Sequence, residues 1–213
     1  MSKLLVINAH PEFDSTTSVS LVGLRNFMDF YQEENSDEEI IEQINLYDDY
    51  IPQLDKTIFA AWNKQANNEK LTDEELHAIS RMHELVQQFK SANKYVIAYP
   101  LHNFNVPSKL KDYMDNILIA RETFKYTENG SVGLLNDGRS MVIIQGSGSI
   151  YTNNDWYTEV EYSHKYLKSM FNFIGIEDYK IMRVQGSSIL NREELLKNAA
   201  TEAQQLASQL ANK

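Results

Sequence analysis

The chain has 213 residues, no cysteine, and 30 acidic against 20 basic side chains, for a formal net charge of −10. Its length suits one large domain or two small ones, and 42% hydrophobic with 23% charged residues is ordinary globular composition. Without cysteine there is no disulfide scaffold, thiolate zinc site, cysteine nucleophile or CxxC redox pair, so redox chemistry would need a bound cofactor.

The acidity is local. Residues 29–75 hold 14 acids and 3 bases, whereas the remainder is nearly neutral. A block of this kind reads as a solvated face. The negative balance argues against a nucleic-acid or anionic-membrane partner, since phosphate binding needs a basic face. No apolar run approaches the ~20 residues that span a bilayer, and the apolar run Leu4–Ile7 is too short for a signal segment. A soluble cytoplasmic protein is the expectation.

In chain order, the first apolar run is Lys3–Asn8, followed by helical spacing over Ser18–Tyr31 with Leu21, Leu24, Phe27, Met28 and Tyr31 on one face. A second run, Glu39–Leu46, precedes a gap too long for one helix, which predicts an extra helix near Asp55–Ala66. The next helix is expected over Thr72–Phe89. It opens on Thr-Asp-Glu-Glu, a capping-box pattern, and places Leu76, Ile79, Met82, Val86 and Phe89 at helical spacing. The run Lys94–Tyr99 leads to a helix over Pro107–Arg121, with proline in the first turn. Ser140–Gln145 is followed by a helix over Tyr157–Ile174, and Asp178–Val184 by a helix over Asn191–Ala211. The five runs are expected as buried parallel strands. Strand alternating with helix implies a doubly wound α/β sheet with helices on both faces. No repeat or linker breaks the pattern, so residues 1–213 are expected as a single domain.

In such a sheet the ligand lies beyond the C-terminal strand ends, at the switch point. After the first run comes Asn8-Ala9-His10-Pro11-Glu12-Phe13-Asp14-Ser15-Thr16-Thr17-Ser18, which is neither GxGxxG nor a P-loop. Its hydroxyls at a helix start suit a phosphate held by dipoles rather than by lysine or arginine, or serve simply as a helix cap. After the third run, Pro100 and Pro107 bracket a stiff tip, Leu101-His102-Asn103-Phe104, able to lie along a flat ring or merely to begin the next helix. After the fourth run, Gly146-Ser147-Gly148-Ser149 allows close backbone approach to a ligand. Three loops fitting one ligand are a stronger signal than any one alone.

The stretch Tyr99-Pro100-Leu101-His102-Asn103-Phe104-Asn105-Val106-Pro107-Ser108-Lys109-Leu110-Lys111-Asp112-Tyr113-Met114-Asp115, with Thr123-Phe124-Lys125-Tyr126-Thr127-Glu128-Asn129-Gly130, resembles the FMN-dependent NADH-azoreductase family of flavodoxin-like quinone reductases. The similarity continues through Gly133-Leu134 and Phe173-Ile174-Gly175-Ile176 and covers essentially the whole chain. It implies a flavodoxin-like five-stranded parallel sheet and bound FMN. It also implies NADH or NADPH as co-substrate, a quinone or azo acceptor in a ping-pong exchange, and a homodimer. By position it implies an FMN phosphate at Thr16, Thr17 and Ser18 with His10 nearby. The flavin ring would lie on Leu101, His102, Asn103 and Phe104 and on Gly146, Ser147, Gly148 and Ser149. Phe124 and Tyr126 would wall the partner's substrate site, with plain helix-end packing as the other reading. His102 stands where many members have Tyr, Ser147-Gly148-Ser149 where they have Arg-Gly-Gly, and His10 where Ser is usual. These departures bear on redox potential and nicotinamide preference.

The chemistry would belong to the flavin, so no obligatory protein acid or base is expected. His102 is the candidate for tuning or proton delivery, because histidine changes charge near neutral pH; a structural histidine is the competing reading. His77 and His83, six apart on one helix, do not face a common point, and His164 reads as packed, so no metal site is expected. Two other classes compete with this reading: a flavodoxin-like electron carrier with no substrate of its own, and a phosphodiesterase-type hydrolase using His10 and Asp14. The carrier needs neither the 46–94 segment nor the Thr-Phe-x-Tyr-Thr-Glu stretch, and the hydrolase has only two candidate groups.

Overall fold

The computed structural model describes residues 2–35 and 39–213. Its elements are β1 (Lys3–Asn8), α1 (Val19–Glu34), β2 (Ile40–Asn45), α2 (Lys56–Ala66), α3 (Asp73–Ser91), β3 (Lys94–Pro100) and α4 (Ser108–Ile117). They are followed by β4 (Phe124–Thr127), β5 (Gly130–Gly133), β6 (Ser140–Ser147), α5 (Trp156–Val160), α6 (Tyr162–Ile174), β7 (Asp178–Gln185) and α7 (Arg192–Ala211). All five expected strands lie in one parallel sheet of order β2-β1-β3-β6-β7, the doubly wound order whose switch point falls between β1 and β3.

Period-two alternation sorts the central strands into two layers. Leu5, Ile7, Tyr95, Ile97, Tyr99, Met141 and Ile143 face the core under α3, α4 and α6. Leu4, Val6, Val96, Ala98, Val142 and Ile144 face the core under α1 and α7. Continuous apolar runs therefore mean burial on both faces, which holds for β1, β3 and β6. It fails for the two edge strands: Ile40 and Ile41 of β2 are exposed, and in β7 only Met182 and Val184 are buried.

The predicted helices need three corrections. The capping box at Thr72 is present, its hydroxyl accepting from the Glu75 N–H at 3.2 Å, yet Leu76 points to solvent and Leu85 is buried instead. Pro107 is the N-cap rather than the first turn, and α4 ends at Ile117 rather than Arg121. The single helix expected over 157–174 is two. Glu161 leaves helical geometry (ψ 91°) and folds its carboxylate back onto the His164 N–H, which starts α6. The extra helix is present as α2, capped by Asp55 and packed on α3 through Ile58, Ala78 and Met82. An antiparallel hairpin, β4–β5, was not anticipated, although Asn129-Gly130 at its turn is a hairpin signal.

Candidate active site

A cavity of about 440 Å³ opens at the C-terminal ends of β1, β3 and β6. Another, of about 310 Å³, lies at the opposite end, where β6 and β7 begin at Ser140 and Asp178. Only the first sits at the switch point and gathers the strand-end loops, so the chemistry is placed there.

The loop after β1 is built to expose a helix N-terminus. Asn8, buried at the strand end, donates to the Phe13 carbonyl at 3.0 Å and accepts from the His10 N–H at 3.0 Å, which folds the chain back. Behind the turn, Arg25 donates to the carbonyls of Ser15 (2.9 Å) and Thr16 (3.0 Å), and Arg192 to that of Thr17 (2.6 Å). Three consecutive carbonyls are thus held by guanidinium groups. No side chain caps α1, and no acid stands in its first turn. An uncapped helix start with hydroxyls from Ser15, Thr17, Ser18 and Ser20 facing the cavity is a ready site for a phosphate monoester. Glu12 is the one carboxylate lining the cavity among the described residues.

The loop after β3 is a tight turn. Leu101 N–H donates to the Gly146 carbonyl at 2.8 Å, carrying the sheet ladder into the loop. His102 and Asn105 exchange backbone hydrogen bonds of 2.9 and 2.8 Å around Asn103 (φ 46°) and Phe104 (φ 64°). Asparagine tolerates the left-handed region; phenylalanine there costs about 1–2 kcal/mol. Such strain survives only where surroundings enforce it. Here the Phe104 carbonyl accepts from the Tyr162 N–H at 2.9 Å, and its ring meets Trp156 edge-on at 5.4 Å.

The loop after β6 differs from expectation in what its first glycine approaches. A Cβ on Gly146 would lie 2.8 Å from the Ser20 N, so this glycine lets the start of α1 press onto β6. Of the anticipated residues, His10, Thr17, Ser18, Leu101, His102, Gly146, Ser147 and Gly148 line the cavity together. Thr16, Asn103, Phe104 and Ser149 sit in the same loops outside its lining. Glu12, Ser15, Ser20, Ser187 and Arg192 line it without having been anticipated. The Ser15 hydroxyl belongs to the hydroxyl-rich loop read from the sequence, whereas Ser20 lies beyond it, in the first turn of α1. The long-range approach of Ser187 and Arg192 left no local signal.

Phe124 is buried against Phe173 with ring centroids 4.7 Å apart, so within one chain it is hairpin packing; Tyr126 is exposed on the hairpin. His10 is held below its ordinary value, chiefly by burial and also by the nearby His102, against the opposing influence of Glu12. His77 stacks on Tyr50 at 5.0 Å, and the described residues contain no cluster able to hold a metal ion. Among the described residues no helix is long and apolar enough to cross a membrane.

The donor set therefore fits FMN: a dipole-held phosphate site joined to a flat, backbone-rich platform. The flavodoxin-like fold family matches residues 2–207. FMN-dependent NADH:quinone oxidoreductase 1 of Bacillus cereus is 64% identical over 213 residues, covering all of both chains. The FMN-dependent NADH:quinone oxidoreductase of Staphylococcus carnosus is 38% identical over 211 residues, covering 98% of this chain and 100% of that one. The crystal structure of an FMN-dependent NADH-azoreductase from Bacillus anthracis in complex with FMN superposes with a TM-score of 0.97 at 64% identity, covering 99% of this chain and 100% of that one. The chain belongs to the flavodoxin-like family of FMN-dependent NADH:quinone oxidoreductases and azoreductases.

Proposed function

We propose that this chain is an FMN-dependent oxidoreductase that passes electrons from NADH to quinone and azo acceptors, each taking its turn at one site. The observation that carries this reading is the uncapped start of α1, which opens into the same cavity as the loops after β3 and β6. Bound FMN would supply the two-electron redox chemistry that a chain without cysteine lacks.

The protein's part is binding and orientation. The N–H groups at the start of α1 and the hydroxyls of Thr17 and Ser18 hold the phosphate, with Thr16 in the same turn and His10 beside it. Leu101–Phe104 and Gly146–Ser149 support the ring. His102, exposed at the rim, is the side chain able to hold or move a proton near an incoming acceptor. We include in this reading a single domain and a homodimer in which Phe124 and Tyr126 stand near the partner's site.

The test uses purified protein loaded with FMN. Consumption of NADH with menadione or an azo dye, in large excess over enzyme, is the expected result. Reduction of the bound flavin without turnover would make the protein an electron carrier instead, and failure to bind FMN at all would remove the reading.

A further inference from the structure

Glu161 is 3% exposed, and its carboxylate has four partners. Its carboxylate accepts from the Ser163 hydroxyl (2.5 Å), the Gln145 side-chain amide (3.0 Å) and the His164 N–H (2.9 Å), and Arg183 approaches at 3.5 Å. As the residue where α5 stops and α6 starts, it also fixes the next peptide, whose Tyr162 N–H holds the Phe104 carbonyl. The partners come from separate places. Tyr99, which donates to the Ser163 hydroxyl at 3.0 Å, is next to last in β3, Gln145 immediately precedes Gly146, and Arg183 lies on β7 opposite Gln145. One carboxylate thus ties both ring-supporting loops to the strained turn at Asn103–Phe104.

Burial alone would raise the Glu161 carboxyl, but the hydrogen bonds and the Arg183 charge bring it below its usual value, so it is ionised. The neighbouring aromatic residues follow it. Trp156 belongs to the short helix that ends at Glu161, and its ring braces Phe104.

We infer that Glu161 is the positioning residue of the flavin platform: it holds the Asn103–Phe104 turn in its left-handed form through the Tyr162 N–H and so sets how FMN is gripped. This rests on the flavin reading above. Glu161 bonds to Gln145 and Ser163 and does not line the cavity, so its effect is geometric.

The test compares three variants for FMN dissociation constant, by flavin fluorescence titration, and for exchange of the Tyr162 amide in FMN-free protein. Glu161→Ala is expected to weaken FMN at least tenfold and to expose the Tyr162 amide to exchange. Glu161→Gln keeps an acceptor oxygen for Ser163 and His164 and is expected to stay within about threefold of the parent. Thr72→Ala removes a helix cap of similar kind far from the loops, and is expected to lower thermal stability without changing FMN affinity. Should Glu161→Ala fail to fold, Ser163→Ala, which removes the hydroxyl shared by Tyr99 and Glu161, is expected to weaken FMN about threefold to fivefold. Parent-like FMN affinity and Tyr162 protection in Glu161→Ala, or in Ser163→Ala where that variant replaces it, would overturn the inference. A parent protein that binds no FMN would instead remove the flavin reading on which it rests.

Discussion

At the N-terminal ends of the strands, polar groups are matched to one another. Lys94 and Glu39 form a buried pair at 3.2 Å, with Tyr31, Ser2 and Asn35 also bonded to the Glu39 carboxylate. Arg139 donates to the carbonyl of Lys90 (2.8 Å) and to the Tyr95 hydroxyl (2.8 Å), and Ser140 to Asp178 (2.7 Å). At the C-terminal ends, α1 begins without a cap, Phe104 sits at positive φ, and serine and threonine hydroxyls face a cavity. Both ends contain arginines, but Arg139 closes a structural corner, whereas Arg25 and Arg192 hold carbonyls away from a helix start that stays open. The contrast separates stability from function: one end is saturated internally, and the other keeps its donors for a ligand.

Breaking the saturated end should have the largest effect. Lys94→Met leaves the Glu39 carboxylate buried without its cation, an error that costs about 3–5 kcal/mol. Chemical denaturation should register that loss, while FMN affinity measured on the remaining folded protein stays near the parent value. Glu39 is held low despite its burial, through hydrogen bonds from Ser2, Tyr31 and Lys94. In the parent its contribution is present above the ordinary carboxylate range and is lost as pH falls through the depressed native value. Lys94→Met should reverse that sign, gaining stability on mild acidification as the lone carboxylate takes up a proton. A variant with parent stability would show that the pair does not hold this end together.

The second prediction crosses from one end to the other. Gly146→Ala places a methyl group 2.8 Å from both the N and the Cβ of Ser20, at the first turn of α1. Overpacking of this kind costs about 1–3 kcal/mol. Here it should also tilt the open helix start, so FMN affinity should fall tenfold or more. If stability falls and affinity does not, the phosphate does not sit at that turn.

Much of this contrast was legible in the chain before any coordinates. Alternation of buried runs with helical spacing is enough to specify the layers, because Leu4–Ile7, Tyr95–Ala98 and Met141–Ile144 can bury both faces only inside a parallel sheet. The three loops followed from the strand ends. What stayed hidden depends on distant contacts. Ile40 and Ile41 look as buried as Val96 until the strand order puts them at an edge. Glu161 lies within a stretch of helical spacing, and only its bonds to Gln145 and Ser163 explain why the helix breaks there. Arg192 reaches Thr17 across 175 residues, a pairing that no local pattern announces.

That pairing supplies the third prediction. Arg192→Leu removes one charged donor from the Thr17 carbonyl; the bond is exposed to solvent, so its loss costs little folding free energy and acts on the shape of the turn. Arg25 still holds Ser15 and Thr16, so the turn should loosen rather than collapse. FMN affinity should fall about fivefold to tenfold in a fluorescence titration with almost no change in melting temperature. An equal loss in both would make Arg192 part of the scaffold instead.

The smallest expected effect concerns His10, and it distinguishes the two ends by pH. Burial, reinforced by His102, holds this imidazole below its ordinary value of 6.5, so the native FMN-free chain takes up a proton less readily than the unfolded chain. Its contribution to stability is therefore complete above about pH 6.5 and declines as pH falls from there to the native value. Bound phosphate near His10 favours the imidazolium, so FMN-loaded protein should show a flatter or reversed slope over the same interval. Glu39, at the other end of the sheet, titrates in the carboxylate range and does not contribute to this window. His10→Gln should make the free and loaded slopes coincide. Melting curves between pH 5.5 and 7.5, with and without FMN, test this directly. If the parent protein already shows equal slopes, His10 is not beside the phosphate, and the open end of α1 must hold it by backbone and hydroxyl groups, with Arg192 the cation that lines the cavity among the described residues.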